Sequence, residues 1–353
     1  MGASSIFLDK ILREAAKKNA RSVYLTVSSY PVLRVENSLT PLEEEGVLDQ
    51  KKINSVIESF LNREEWEKLK KEKELITVKN IFGDCNFRVN IFYQRGFPSV
   101  SFHYISPKIK DLKDLDLPSN FTKLIEYNSG LLIITGPNNS GKTSTIANII
   151  REINQNRKKY IVSLENLVER QFVNEKSIIN QREVGRDVKS YEEGLLNCLE
   201  EDVDLVYVGE MREEFDSAVP FLLELAAGNC LVIMEMDAEY SVRAIEKILS
   251  ALQKSRSREG ASYFLADVLI GVLAQKLIPN KEKEFSLATE LLLVNNPVKS
   301  LIRENNIYQL NNVIQNYMTE GMISMEKSIR DLVDKDLVDP AEARKWNFDL
   351  DLN

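Results

Sequence analysis

The chain has 353 residues, enough for two domains that each build a core of their own. Its 43% hydrophobic and 28% charged residues are ordinary for a soluble globular protein, and its net charge of −8 argues against a nucleic-acid coat or a basic membrane-binding surface. No run of about 18 apolar residues could span a membrane, and no charged segment precedes an apolar stretch at the start. We therefore expect neither a transmembrane segment nor a secretion signal.

The first 105 residues alternate between helix and strand patterns. Apolar residues at helical spacing predict helices over 4–19 and 50–72. Five strand-like runs are found at 22–27, 31–36, 74–79, 86–93 and 99–105. The pattern predicts a small α+β domain over 1–105, followed by a polar, proline-bracketed linker over 106–118.

From residue 121 the pattern changes to strands that alternate with helices. Apolar strands are predicted at 130–135, 160–164, 204–209 and 230–236, with one more at 287–294 before the C-terminal helices. This alternation predicts an α/β domain with a mainly parallel sheet and helices on both faces. Ligands of such sheets bind beyond the carboxyl ends of the strands. We divide this part into a core over 119–280 and a C-terminal strand with helices over 281–353.

Residues 136–143 read Gly-Pro-Asn-Asn-Ser-Gly-Lys-Thr, a complete phosphate-binding loop between a predicted strand and a predicted helix. Lys142 supplies charge for the β- and γ-phosphates, Thr143 supplies a hydroxyl for Mg²⁺, and the helix start adds N–H groups. A chance match is the alternative, and the flanking elements argue against it. The residues predicted to bind nucleotide here are Gly136, Pro137, Asn138, Asn139, Ser140, Gly141, Lys142, Thr143 and Ser144.

Hydrolysis also needs carboxylates that hold Mg²⁺ and position the attacking water. Glu210 ends an apolar run, where a Walker B carboxylate belongs, and Glu165 ends another. Either could instead cap a strand end beside solvent, but two at equivalent strand ends favour catalytic roles, with Glu210 also a metal ligand. Arg212 could contact phosphate or form a salt bridge. Three isolated cysteines without a C-x-x-C pair argue against a zinc cluster and a disulfide framework.

Three further strings resemble the PilT/PilU family of type IV pilus retraction ATPases, within the secretion ATPase superfamily. They are Asn-Gln-Arg-Glu-Val-Gly at 180–185, Gly-Glu-Met-Arg at 209–212 and Pro-Val-Lys-Ser-Leu-Ile-Arg-Glu at 297–304. The last looks like a variant of the signature that marks retraction motors over extension motors. The resemblance runs nearly end to end and implies a PAS-like α+β domain followed by a RecA-like P-loop domain, with ATP and Mg²⁺ as cofactors and ATP bound between the domains.

The resemblance also implies an assembly: a homo-hexameric ring in the cytoplasm, docked on an inner-membrane platform protein, in which hydrolysis drives pilin removal from the pilus base. By motif position, Lys142 and Thr143 correspond to the Walker A residues. Glu210 corresponds to the Walker B glutamate, and Glu165 to the first acid of the family's Asp box.

The resemblance also concerns residues of the first domain and a stretch in which this sequence differs from the family's motif. From the residues alone, Arg88 could be a strand-face arginine in a salt bridge; the resemblance matches it to an arginine of the first domain that reaches nucleotide, and matches Arg95 to a second. His103, the one histidine, stands where the family has a nucleotide-facing arginine. Asp237 stands where the family has the histidine of its His box, and Glu235 replaces a threonine.

Within the phosphate-binding loop, Asn139 replaces a glycine. Glu235, Asp237 and Glu239 alternate, so they share one face if that stretch is extended. They could bind Mg²⁺ or a basic neighbour; we favour a face turned to solvent or to another subunit.

Two functions therefore remain open. The first is an active retraction motor. The second is a nucleotide-binding, weakly hydrolysing or inactive paralogue that assists an active ATPase, in stacked or mixed rings. A secretion or assembly ATPase of the wider superfamily is a third, less favoured, interpretation.

Overall fold

The computed structural model describes residues 3–35, 38–82, 85–106, 111–211, 213–282 and 284–346, without the side chains of 3–5 and 82. It divides into two compact units, residues 1–108 and 109–353. Arg212 lies outside the described residues. Among the described helices, none is both long enough and apolar enough to cross a membrane.

The first unit packs helices on an antiparallel sheet with strand order β3-β2-β1-β6-β5-β4. Its core joins Leu8 and Ile11 of the first helix to strand residues such as Val89 and Phe102. The elements are α1 (Ala3–Lys17), β1 (Ser22–Thr26), β2 (Val32–Val35), β3 (Ser38–Pro41), a 3₁₀ turn (Glu43–Glu45), α2 (Gln50–Glu58), α3 (Arg63–Glu72), β4 (Glu74–Phe82), β5 (Cys85–Gln94) and β6 (Phe97–Ile105).

The single helix predicted over 50–72 is wrong, because the structure has two helices there. Asn62 caps the second: its side chain accepts a hydrogen bond from the Glu65 backbone N–H, and the Glu65 carboxylate accepts one from the Asn62 backbone N–H. This reciprocal pair is a capping box, whose N-cap conformation is extended and so interrupts a continuous helix. The Asn-x-x-Glu spacing was the sequence signal that helical periodicity hid.

The second unit has a sheet of order β13-β12-β7-β11-β10-β8-β9. Its elements begin with a 3₁₀ turn (Leu112–Asp114) inside the predicted linker, then α4 (Phe121–Leu124), β7 (Gly130–Thr135), α5 (Lys142–Asn156), β8 (Tyr160–Glu165), β9 (Ile178–Glu183), α6 (Tyr191–Glu200), β10 (Leu205–Val208), α7 (Phe215–Ala227), β11 (Leu231–Met236), α8 (Ser241–Leu252), α9 (Arg258–Val268), β12 (Leu269–Pro279) and β13 (Phe285–Leu293). They end with α10 (Asn296–Arg303), a 3₁₀ turn (Ile307–Gln309), α11 (Leu310–Asn316), a 3₁₀ turn (Met318–Glu320), α12 (Met325–Asp334) and α13 (Pro340–Arg344).

The predicted α/β class with a mainly parallel sheet is confirmed. All described pairings of this sheet are parallel except that of β12 with β13. Separate apolar clusters cover its two faces: α5 packs on one, and α6 to α9 pack on the other. The chain crosses the sheet so that β11 lies between β7 and β10.

Two strands of this sheet were not predicted. β9 is an edge strand whose sequence, Ile-Ile-Asn-Gln-Arg-Glu, has too few apolar residues to stand out. β12 begins at the residue after α9 ends, so no turn residue separates the two elements. Because periodicity alone cannot separate a short buried strand from a buried helix, this boundary was hidden.

Removal of the Asn62 side chain should weaken the first unit. We expect Asn62→Ala to lower its free energy of unfolding by about 1 kcal/mol, since the Glu65 N–H loses its acceptor. Urea unfolding followed by Trp66 fluorescence, in a Trp346→Phe background, measures it. Lys68→Ala, on an exposed position of α3, is the control. Equal midpoints for the two variants would contradict the capping assignment.

Candidate active site

The phosphate-binding loop joins β7 to α5 and needs a left-handed backbone at three positions. Gly136, Asn139 and Gly141 have φ values of 146°, 63° and 91°. A Cβ on Gly136 would lie 2.3 Å from the Gln275 carbonyl oxygen, so glycine is required there. Asparagine adopts the left-handed region more readily than other residues with a side chain. The backbone therefore accommodates Asn139 at this position.

Lys142 extends back over the loop. Its side chain is 4% exposed, and its ammonium donates hydrogen bonds to the carbonyl oxygens of Gly136 (2.9 Å) and Pro137 (3.1 Å). The Ser140 hydroxyl oxygen is buried and has no hydrogen-bond partner among the described residues. A buried cation, an unpartnered hydroxyl and the first N–H groups of α5 thus converge on one loop, which is the donor set that binds phosphate.

Thr143, the next residue, contacts an acid that the sequence did not assign to the site. Its hydroxyl donates to Glu235 Oε1 at 3.0 Å, and the Tyr207 hydroxyl donates to Glu235 Oε2 at 2.7 Å. Glu235 is 6% exposed. Burial raises the pKa of its carboxyl, the two hydrogen bonds and the charge of Lys142 lower it, and the charge of Glu210 raises it.

Glu165, at the end of β8, is also buried, with 8% of its surface exposed. The Ser163 hydroxyl donates to its Oε1 at 2.6 Å, and the Gln181 amide donates to the same oxygen at 3.4 Å. Burial raises the pKa of the Glu165 carboxyl to about 7, against the lowering effect of these two donors. The charge of Glu235 raises it further. A carboxylate with such a pKa is suited to accept a proton near neutral pH.

The sheet register places these acids at one edge. Leu164 of β8 is level with Val208 of β10, which is level with Met234 of β11. Glu165 and Glu235 each follow by one residue, so they lie at the same height two strands apart, about 10 Å. They point to the face on which α5 packs, as does Tyr207.

Glu210 follows β10 by two residues and is partly exposed. The Asn166 side chain donates to the Glu210 backbone oxygen at 2.7 Å, which links the loops after β8 and β10. A cavity of about 10 Å³, on the scale of one water molecule, lies beside Glu165, Thr143 and Tyr207. The predicted acids Glu165 and Glu210 therefore end strands at the loop's edge of the sheet.

The interpretation of Glu235, Asp237 and Glu239 as one solvent-facing set is wrong. β11 ends at Met236, so Glu235 is inside the strand and buried, while Asp237 and Glu239 follow it and are exposed. Glu239 forms a salt bridge of 2.8 Å with the buried Lys276. The missed signal at Glu235 was a single acid, one residue before the end of an otherwise apolar strand.

The predicted arginines lie in the first unit or outside the described residues. Arg88 is exposed on β5 and is paired in register with His103 of β6, whose Nδ1 lies 3.1 Å from the Ser22 hydroxyl. Arg95 is one of two residues in the turn between these strands, beyond the last ladder pair. Arg88 and Arg95 are thus seven residues apart along one hairpin. Their roles, and that of Arg212, stay predictions.

Burial of Glu165 should make stability depend on pH. The pKa of about 7 in the folded chain exceeds the ordinary 4.5, so folding favours the protonated form, and ionisation costs stability as pH rises from about 4.5 to about 7. We expect Glu165→Gln, which cannot ionise, to gain stability relative to the parent by about 3 kcal/mol across that interval. Denaturant midpoints at about pH 5 and about pH 8 measure the gain. The exposed Glu282→Gln is the charge-matched control; a pH-independent difference for Glu165→Gln would contradict the assignment.

Comparison with known proteins assigns the chain to a family. Residues 3–312 match the family described as Type II/IV secretion system protein. The twitching motility protein of Neisseria gonorrhoeae is 28% identical over 316 residues, which cover 89% of this chain and 83% of that protein. The type IV pilus retractation ATPase PilT of Pseudomonas aeruginosa is 26% identical over 338 residues, 96% of this chain and 97% of its own.

Solved structures agree. A crystal structure of the pilus retraction motor PilT with bound ADP has a TM-score of 0.84 and 30% identity, and the match covers 95% of both chains. The Legionella pneumophila ATPase DotB, at 18% identity and a TM-score of 0.82, shares the fold. The chain belongs to the Type II/IV secretion system protein family, as an ATPase similar to the pilus retraction motors.

Proposed function

We propose that this ATPase couples ATP hydrolysis to the disassembly of a type IV pilus. It would act as a homo-hexameric ring in the cytoplasm, docked on an inner-membrane platform protein at the pilus base. The observation that carries the proposal is the loop itself, with Lys142 buried across it and Thr143 hydrogen-bonded to an acid on the adjacent strand. The names of the relatives and the bound ADP of PilT support ATP as the substrate.

The loop's own groups hold the triphosphate. Backbone N–H groups of the loop, other than at Pro137, which has none, and of the first turn of α5 would face the phosphates, and Lys142 would exchange its carbonyl partners for the β- and γ-phosphate oxygens. The Ser140 hydroxyl would gain the hydrogen-bond partner that the described residues do not supply. Asn138, Asn139 and Ser144 are exposed and border the loop opening.

The oxygens present fit Mg²⁺. Mg²⁺ is usually held by one or two protein oxygens together with phosphates and water rather than by an all-protein cage. The Thr143 hydroxyl and the carboxylate of Glu210, reached through water, provide such oxygens, and the described residues contain no group of three or more acids, histidines or cysteines arranged as a metal site. When bound, Mg²⁺ neutralises charge on the β- and γ-phosphates.

Glu165 is the residue we assign to the attacking water. Among the described residues, both of its hydrogen bonds end on Oε1, so Oε2 is the oxygen that accepts the proton. The adjoining cavity has the volume of about one water, and the pKa of about 7 lets the carboxyl take up a proton near neutral pH.

A weakly hydrolysing or inactive paralogue is the second candidate. Asp237 stands where the resemblance implies a histidine, and it is exposed beyond the end of β11. Loss of one preorganised donor to the transition state typically costs about 10²–10³ in rate. A chain without that donor could bind ATP and assist an active ring.

Steady-state ATP hydrolysis separates the two. If the chain is a motor, Lys142→Ala and Glu210→Gln should each lower its turnover about 10²–10³-fold. The exposed Lys335→Ala should match the parent. Nucleotide binding with no more turnover than Lys142→Ala would overturn the motor and leave the assisting role.

Retraction itself needs a cellular test. In piliated source cells, Lys142→Ala at the native locus should abolish twitching motility while pili persist. Normal motility in that strain would contradict a direct role in retraction.

A further inference from the structure

Resting on the proposed function, we propose that Glu235, rather than Glu210, positions the Thr143 hydroxyl that would hold the metal. Glu235 would thus be a positioning residue for the Mg²⁺–nucleotide complex. Glu210 would then reach the metal only through a coordinated water, and Glu165 would keep its role toward the attacking water.

The sheet order makes this contact possible. β11 lies directly beside β7, and Glu235 is paired in register with Ile134, two residues before the phosphate-binding loop. β10, which precedes Glu210, lies one strand further away. An acid near the end of β11 is therefore nearer to the start of α5 than an acid after β10.

The hydrogen bonds fix both oxygens of the carboxylate. Thr143 donates to Oε1 and Tyr207 donates to Oε2, and each of the two donors contacts only its own oxygen. A hydroxyl has one proton to donate and two lone pairs to offer. Because the Thr143 hydroxyl donates its proton to Glu235, its oxygen lone pairs would be available to hold a metal ion.

A buried carboxylate at position 235 lowers the stability of the fold, which argues that it has a role in the site. A buried carboxylate loses hydration worth several kcal/mol, and an apolar residue of similar size would fill the strand end without that loss. The Glu235 carboxylate instead interacts with Lys142 and Thr143, the two loop residues that contact phosphate and metal in the proposed function. Metal ligands are commonly oriented by such hydrogen-bonded carboxylates, whose removal costs about 10–100-fold in metal affinity.

The test is the Mg²⁺ dependence of nucleotide binding. The affinity for N-methylanthraniloyl-ADP is measured with MgCl₂ and with EDTA. The readout is the dissociation constant in EDTA divided by the dissociation constant in MgCl₂. We expect Glu235→Gln to lower this ratio at least about tenfold, with the EDTA value unchanged or tighter because a negative charge near the phosphates is removed. Glu210→Gln should lower the ratio less than Glu235→Gln does, because Glu210 reaches the metal only through water.

Glu290→Gln is the matched control. Glu290 is as buried as Glu235 and accepts a hydrogen bond from the Ser241 hydroxyl at 2.6 Å. Ser241 belongs to α8 and not to the phosphate-binding loop. Its ratio should equal that of the parent.

Three outcomes overturn the proposal. One is an unchanged ratio in Glu235→Gln, and another is a larger loss in Glu210→Gln than in Glu235→Gln. If Glu235→Gln does not fold, Tyr207→Phe is used, which keeps the carboxylate but frees Oε2. Tyr207→Phe should lower the ratio several-fold, and an unchanged ratio in this variant is the third outcome that overturns the proposal. A parent that binds no nucleotide in either buffer would instead overturn the proposed function itself.

Discussion

The parallel pairing of β7 with β11 is the interaction on which the candidate site depends. Parallel strands end at the same edge of a sheet, so this ladder brings Glu235 level with Ile134, just before the phosphate-binding loop. Because side chains alternate between faces, a slip of one residue would turn Glu235 away from α5 and remove its hydrogen bond to Thr143. Apolar clusters pack against both faces of this ladder and bury it completely.

The site balances one buried cation against several acids. Burial raises the pKa of both Glu165 and Glu235, while hydroxyl donors oppose that rise at each. Their negative charges also act on one another across the end of β10. Titratable groups held in such opposing environments concentrate at functional sites. Lys142 supplies the compensating positive charge at Glu235, and triphosphate with its metal would alter the same balance.

The departures that the sequence resemblance implies have different structural consequences. Asn139 fits a left-handed backbone that glycine also fits, so it leaves the loop intact. Glu235 faces inward and joins the loop, whereas Asp237 is exposed and Glu239 is held by Lys276. Relative to the motif that the resemblance implies, this stretch carries an acid that contacts the loop and an exposed aspartate in place of a histidine. Their combined effect on turnover decides between a motor and an assisting subunit.

The sequence by itself determined the phosphate-binding loop, the strand ends at Glu165 and Glu210 and the α/β class, because these rest on local spacing and on long apolar runs. It did not separate α2 from α3, where a capping box interrupts continuous periodicity, nor reveal β9 and β12, whose patterns are weak or merge with a helix. Only the tertiary structure placed Glu235 against Thr143. That contact joins residues 92 positions apart. It depends on the placement of β11 between β7 and β10 in the sheet, which no local pattern encodes.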